Sequence, residues 1–382
     1  MGMWAGGTAR RIAVPLMAYG LAHAAVDAGC AALLLGAVTA GRIQAGTALG
    51  LFLVYNVVAF ALQPIVGLLV DYRGLAKAAA VAGALLTAVS LPLSVFTGAV
   101  VPAVLTAGVG NAIFHVGGGA TSLRMTPGRA SAPGLFVAPG AAGVAAGVLL
   151  GKAGAPLWIP AILLVACAAA MALVGDGSPA AAELGARTTS GTPAERHPSA
   201  AAVAPAIEGA VLLVLAVVAL RSYAGLAIAL PWKSSLPLLG ALTAAVVLGK
   251  AAGGVLADRF GRARVGVGAL AFSAPLLMLA PQLPVAGIVG MFAFNMTMPV
   301  TLVAVADVIP ESPGFAFGLA SLALAVGAFP VLAGAPTTLG SAGAIGAVVA
   351  VSATALAIAL SWLNPSVRLH PSLSEPVPEV VE

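Results

Sequence analysis

The residues of this sequence that could do chemistry are few, and they lie inside apolar runs. His23 and Asp27 stand four residues apart within 12–38 and so share one helical face. Asp27 is the only acid deep in any run long enough to cross a membrane, which makes it the leading proton carrier. A structural ion pair with a neighbouring helix is its alternative role, and His23 beside it could modulate it or bind substrate. Asn111 and His115 repeat the four-residue spacing, amid glycines at 108, 110 and 117–119 that let a substrate or another backbone come close. In Arg221-Ser222-Tyr223 the arginine lies about 21 Å into its run at 1.5 Å per residue. A guanidinium keeps its proton, so Arg221 needs an anion: Asp27, a substrate carboxylate or a phosphonate. Asn295, 184 positions after Asn111, precedes Met296-Thr297-Met298-Pro299, where proline could kink a helix and free a carbonyl. Asn111, His115, Arg221, Tyr223 and Asn295 form the candidate substrate-binding set. Lys250, about 12 Å inside its helix end by the same rise, could snorkel toward that end. No nucleophile–base pair and no metal-ligand cluster is evident, so neither an enzyme nor a cofactor or metal site is expected.

The runs carrying these residues have membrane length. Of 382 residues, 61% are hydrophobic and 8% charged, and the mean hydropathy is +1.09. A soluble protein of this size needs far more surface charge, so a polytopic protein of the lipid bilayer is implied. The 47 glycines and 27 prolines suit helices that pack closely and bend in lipid. Cys30 and Cys167 fall in apolar runs and indicate neither a disulfide framework nor a metal site. The net charge of +5 is scattered over membrane-flanking loops and is no nucleic-acid signal. Arg10-Arg11 precede a run long enough to span and without a convincing cleavage site, so no cleavable signal peptide is expected.

A spanning helix needs about 20 largely apolar residues, and twelve such runs can be read between 12–38 and 341–363. The expected fold is an all-α membrane protein, with twelve transmembrane helices in two six-helix bundles, 1–174 and 207–363. The stretch 175–206, rich in Gly, Pro, Ser, Thr and Ala, cannot bury a core and is expected to be a cytosolic linker. The proline-bearing tail 364–382 is expected to be disordered and cytosolic. With both termini inside, twelve of the 17 lysines and arginines fall on the cytosolic side and three, Arg42, Lys152 and Lys233, on the other. A multi-pass protein of the inner (cytoplasmic) membrane follows, with a monomer as the default.

The stretch Gly249–Arg264 starts as a small-residue helix and ends in Asp258-Arg259-Phe260-Gly261-Arg262. Positive charge suits the cytosolic end of a span, Gly261 permits a tight turn, and Asp258 can accept hydrogen bonds from an adjacent helix N-terminus. A weaker copy, Gly67-Leu68-Leu69-Val70-Asp71-Tyr72-Arg73-Gly74, lies 187 positions earlier. That offset is close to half the chain and predicts a duplication. Asp71, Arg73, Gly254, Asp258, Arg259, Gly261 and Arg262 are the gating candidates, with Asp258 and Arg262 as a latch at the cytosolic end. The pattern G-x-x-x-D-R-x-G-R from Gly254 to Arg262 resembles the loop between transmembrane helices of the major facilitator superfamily. The superfamily resemblance covers the whole chain. A narrower one joins Gly108–Gly119 to Leu135–Gly147, where Gly140, Gly143 and Gly147 make a small-residue packing seam. These two stretches resemble the fosmidomycin-resistance branch, with Val116 where the branch commonly has proline and Pro139-Gly140-Ala141 in place of a glycine pair. That resemblance implies export of small antibacterial compounds by means of the proton gradient.

The expected activity is therefore secondary transport: proton-coupled efflux, as an antiporter, of a small polar or anionic compound. The partners are a small-molecule substrate, protons and the bilayer. An uptake symporter or facilitator for an organic anion is the alternative. A transport-inactive sensor or scaffold would be expected to lose the buried charges that this sequence keeps.

Overall fold

The computed structural model of the chain describes residues 6–96, 99–177, 200–335 and 340–363, and it is all-helical. Among these residues eleven helices are long and apolar enough to cross a membrane, and a shorter apolar one, Trp158–Leu173, has 16 residues. Most of the expected linker and the whole tail 364–382 lie outside the described residues; Ala200–Ala227 is helical.

In the first half, α1 (Gly6–Thr39) is followed by a broken span. There α2 (Ala45–Asn56) runs through a π-helical turn, Val57–Ala61, into α3 (Gln63–Arg73). Pro64 accounts for the break, because its ring clashes with the carbonyl four residues earlier and a widened turn relieves the clash. Gly74 (φ 65°) ends α3 in the left-handed conformation. Then come α4 (Ala76–Phe96), α5 (Val100–Met125), α6 (Ser131–Lys152) and α7 (Trp158–Leu173). The second half holds α8 (Ala200–Ala227), α9 (Leu236–Phe260), α10 (Arg262–Leu279), α11 (Pro284–Asn295), α12 (Thr297–Ala306), α13 (Pro313–Leu332) and α14 (Ala342–Leu363). Helices α11 and α12 form one 23-residue span interrupted at Met296, close to where Pro299 predicts a kink.

Lipid tails are as apolar as leucine, so these helices associate through close packing rather than by escape from solvent. The seam predicted on α6 is one place where that packing is close. A methyl group at Gly143 would overlap the Ala24 backbone of α1, and one at Gly147 would lie 2.8 Å from Ala28 Cα and from Ala31 Cβ. The two halves meet where α6 runs along α9 and α3 along α13.

Gly143→Val should cost about 1–3 kcal/mol by overpacking. We expect a lower midpoint of thermal unfolding in detergent, with helix content unchanged at low temperature. An unaltered midpoint would mean that α1 and α6 separate without penalty.

Candidate functional site

Two i, i+4 pairs read from the sequence meet face to face. His23 and Asp27 on α1 lie against Asn111 and His115 on α5, all buried except Asp27, which is half-buried. His23 Nε2 lies 3.3 Å from Asp27 Oδ2, and His115 Nε2 lies 3.7 Å from Asp27 Oδ1. The two Nε2 atoms are 3.0 Å apart. Each ring turns its Nδ1 to a backbone carbonyl at 2.9 Å, His23 to Phe136 of α6 and His115 to Asn111 of its own helix. Asn111 Nδ2 donates to Asp27 Oδ1 at 3.5 Å. Gly140 of α6 closes the cluster, because a Cβ there would lie 2.7 Å from Asp27 Oδ2 and nearer still to His23 Nε2.

The sequence shows no ligand cluster, yet the fold assembles one. Among the described residues His23, Asp27 and His115 are the group of histidines, cysteines and acids whose donor atoms, all within 4.8 Å, could converge on a metal ion. Helix packing brings these residues together across some 90 positions, which spacing alone cannot show. The surroundings are already cationic, since Lys250 acts electrostatically on both Asp27 and His115. That field opposes a divalent ion far more than a proton.

The second site is a cavity of about 240 Å³ in the second half, lined among others by Arg221, Lys250, Phe294, Asn295, Phe317 and Ser321. Its wall is apolar except for a few groups, and two of these are cations. Arg221, 7% exposed, donates from Nη2 to the Phe294 carbonyl at 2.7 Å. Its guanidinium carbon sits 4.7 Å from the centroid of the Phe294 ring, and its Nε has no partner. Among the described residues no carboxylate lies within ion-pair distance of Arg221 or Lys250. Arg221 is therefore not paired with Asp27, one of the anions its burial led us to expect. Lys250 does not snorkel to its helix end either. It turns into the cavity, because it shares a face of α9 with Gly254, the point of closest approach to α6. Asn295 lines the cavity and donates to the Met291 carbonyl at 2.8 Å. Tyr223 is half-buried and lies outside the lining.

The gating candidates form two related contacts between the halves. Asp258, at the end of α9, accepts from the backbone N–H groups of Ala130 (2.7 Å) and Ser131 (3.0 Å) at the start of α6. Asp71, at the end of α3, accepts from Gly314 (3.1 Å) and Phe315 (2.8 Å) at the start of α13. In each case the glycine four residues before the aspartate lets the backbones touch: a Cβ at Gly254 would overlap the Ala130 carbonyl, and one at Gly67 that of Gly314. A carboxylate at a helix N-terminus meets unpaired N–H groups and the positive end of the helix dipole. Arg124, which sequence reasoning passed over, adds a 3.0 Å ion pair to Asp71.

Arg262, the other residue of the expected latch, reaches an acid on another helix. It pairs with Asp307, within the second half, because Gly261 (φ 95°) turns α10 away from Asp258. Arg73 and Arg259 lie over the rings of Tyr72 and Phe260.

No family model and no curated protein matches the chain, but solved structures do. It superposes on the fucose:proton symporter of E. coli with a TM-score of 0.61 at 12% identity, over 91% of this chain and 99% of that one. It superposes on the human organic anion transporter MFSD10 with a TM-score of 0.63 at 15% identity, over 93% and 99%. A major facilitator superfamily transporter, FucP, in the outward conformation gives 0.61 at 13%, over 90% and 98%. At these identities the likeness establishes the fold, which is that of the major facilitator superfamily transporters.

Asp258→Asn keeps acceptor capacity but removes the charge opposite α6, worth about 0.3–2 kcal/mol at a helix terminus. We expect a ~2–30-fold shift toward separated halves, read as a longer component in distances between spin labels at positions 129 and 264. An unchanged distribution would remove Asp258 from the gate.

Proposed function

We propose that the protein is a secondary active transporter that moves a small organic anion together with a proton. It does so by alternating access between two six-helix bundles, 1–174 and 207–363, joined by 175–206 and followed by the tail 364–382. The carrying observation is the pair of cations, Arg221 and Lys250, in one apolar cavity with no carboxylate partner among the described residues. A cation kept in hydrocarbon without a counter-ion is costly, and an anionic ligand supplies one. The apolar wall and the Phe294 ring favour an anion with a hydrophobic or aromatic body. With both aspartate contacts made, this conformation is closed on the side of the basic loops, which charge bias assigns to the cytosol. One chain supplies every residue of both sites, so a monomer suffices.

The sign of the coupling follows from Lys250. Its charge acts on Asp27 and His115 and is itself opposed by that of Arg221. An anion bound to the two cations cancels part of their field at the His23–Asp27–His115 cluster and eases the binding of a proton there. By linkage, a proton on the cluster then tightens anion binding by the same factor. Mutual promotion is the sign of symport. Efflux by exchange requires proton and substrate to compete, so the geometry favours the symporter over the antiporter. The fucose:proton symporter and the organic anion transporter among the structural neighbours are compatible with this reading. The stretch 108–147, which carries the likeness to the fosmidomycin-resistance branch, supplies Asn111, His115, Phe136 and Gly140 to the cluster.

Benzoate and phenylphosphonate, which join an anionic head to an apolar ring, are suitable probes for calorimetry on the purified protein. Affinity should rise on acidification, with a coupling of about 1–3 kcal/mol or ~5–150-fold. Asp27→Asn should flatten the profile. Arg221→Met should weaken anion binding by at least ~30-fold, about 2 kcal/mol for truncating one partner of a buried charge pair. Affinity that falls on acidification would restore the exchange reading.

A further inference from the structure

We infer that the coupling proton is held between two imidazoles, on the axis from His23 Nε2 to His115 Nε2, with Asp27 as its counter-ion. The inference rests on the proton-coupled reading above and names the atoms of that coupling site. It moves His115 from the substrate-binding set to the proton site.

The carbonyls of Phe136 and Asn111 can only accept, so the Nδ1 atoms facing them at 2.9 Å must both carry hydrogen. A neutral imidazole protonated at Nδ1 has a bare lone pair at Nε2. Two such lone pairs would face each other at 3.0 Å, with carboxylate oxygens of Asp27 at 3.3 and 3.7 Å. All three groups would then be acceptors, with no donor among them. A proton on Asp27 would satisfy one Nε2 and leave the contact between the rings empty. A proton on either Nε2 makes an N–H···N bond across that contact, and the imidazolium so formed lies against the carboxylate. One N–H bond forms, no other bond changes, and the proton exchanges with water.

The charged and titratable neighbours agree with this placement. From α1 the cluster meets Asp27 and Cys30, and from α2 it faces Tyr55, a neutral phenol on which the Asp27 charge acts. From α9 it meets Lys250, behind which stands Arg221 of α8. Helix α6 contributes the Phe136 carbonyl and Gly140 but no charge. Helices α4 and α7 bring Thr87, Leu91 and Leu164 to α1 at Gly29. The rings of Phe136 and Phe114, 4.8 and 6.1 Å from that of His23, wall the pair off.

The test is 15N NMR of the full chain, labelled at histidine, stripped of metal with a chelator and held in lipid nanodiscs. The chain has four histidines, and His197→Gln and His370→Gln assign the other two. We expect a scalar coupling between two Nε2 nuclei on the acid side of one titration, with both Nδ1 atoms protonated throughout. The coupling should be absent in His23→Gln and in His115→Gln, while the wild-type spectrum decides the matter even where a variant fails to fold. A neutral ring with hydrogen on Nε2 and a bare Nδ1 would overturn the inference. So would Nε2 resonances that move on adding zinc at stoichiometric concentration, which would assign the pair to a metal. Anion binding is read separately: a shared proton in a protein that binds neither probe keeps this site and removes the functional reading. pH-linked anion binding without the nitrogen–nitrogen coupling does the reverse.

Discussion

A guanidinium held in hydrocarbon needs an anion, and among the described residues Arg221 has a carbonyl and the face of a ring. The helix break nearby makes even this possible. Because the span 284–306 is interrupted at Met296, the last carbonyls of α11 lack their usual intrahelical donors. That of Phe294 takes a hydrogen bond from Arg221 at 2.7 Å and one from the Thr297 hydroxyl at 2.8 Å. Arg221 is thereby positioned, but its charge stays unneutralised. Lys250 shares the cavity and raises the local positive potential.

Helices α6 and α9 connect this cavity to everything else. Lys250, Gly254 and Asp258 recur every four residues on α9 and so lie on one face. That face gives a cation to the cavity, a flat spot to the start of α6 and a cap to its N-terminus. Along α6 the order is matched: Ala130 and Ser131 meet the cap, Gly134 lies under Lys250 and Gly254, Phe136 orients His23, and Gly140 closes the proton cluster. A rigid-body shift of α9 against α6 therefore changes the aspartate contact and the distance from Lys250 to the cluster together. This contiguity is the physical basis for expecting the gate and the two binding sites to respond to one motion.

Individual helix faces were legible in the sequence, and the meetings between them were not. The four-residue spacing of His23 with Asp27, and of Asn111 with His115, identifies two polar faces, and the cost of burying them implies that they seek partners. That they seek each other depends on α1 and α5 being neighbours, which the 84 positions between Asp27 and Asn111 conceal. For Lys250 the direction of the side chain was not legible, because rise per residue measures position along an axis and says nothing of azimuth. The face shared with Gly254 and Asp258 was the available signal. Arg262 shows the same limit: its charge at a helix start implies an acidic partner, but only the packing of α10 against the end of α12 makes that partner Asp307. Arg124 and Asp307, the acting partners of Asp71 and Arg262, sit in loops or helix ends where one charge among many carries no distinguishing pattern.

The repeat offset read from the sequence shows where the two halves differ. The 187-residue offset that relates Asp71 to Asp258 and Gly67 to Gly254 also relates Gln63 to Lys250. Gln63 is wholly buried, and its amide nitrogen donates to the Ala59 carbonyl of its own helix at 2.8 Å. At the same register, then, the first half places a neutral amide, its nitrogen bonded to the backbone and its oxygen without a partner, and the second half a cation with no carboxylate in ion-pair distance among the described residues. The same offset carries Asp27 to Val214, which is fully buried and apolar. Carboxylate and paired imidazoles thus belong to one half, and uncompensated cations to the other. A cation placed beside an acid of its own half would settle into a permanent pair; with the two cations in one half and the histidine-bound carboxylate in the other, no such pair forms among the described residues, and under the proposed function the two groups interact through space across the interface between the halves.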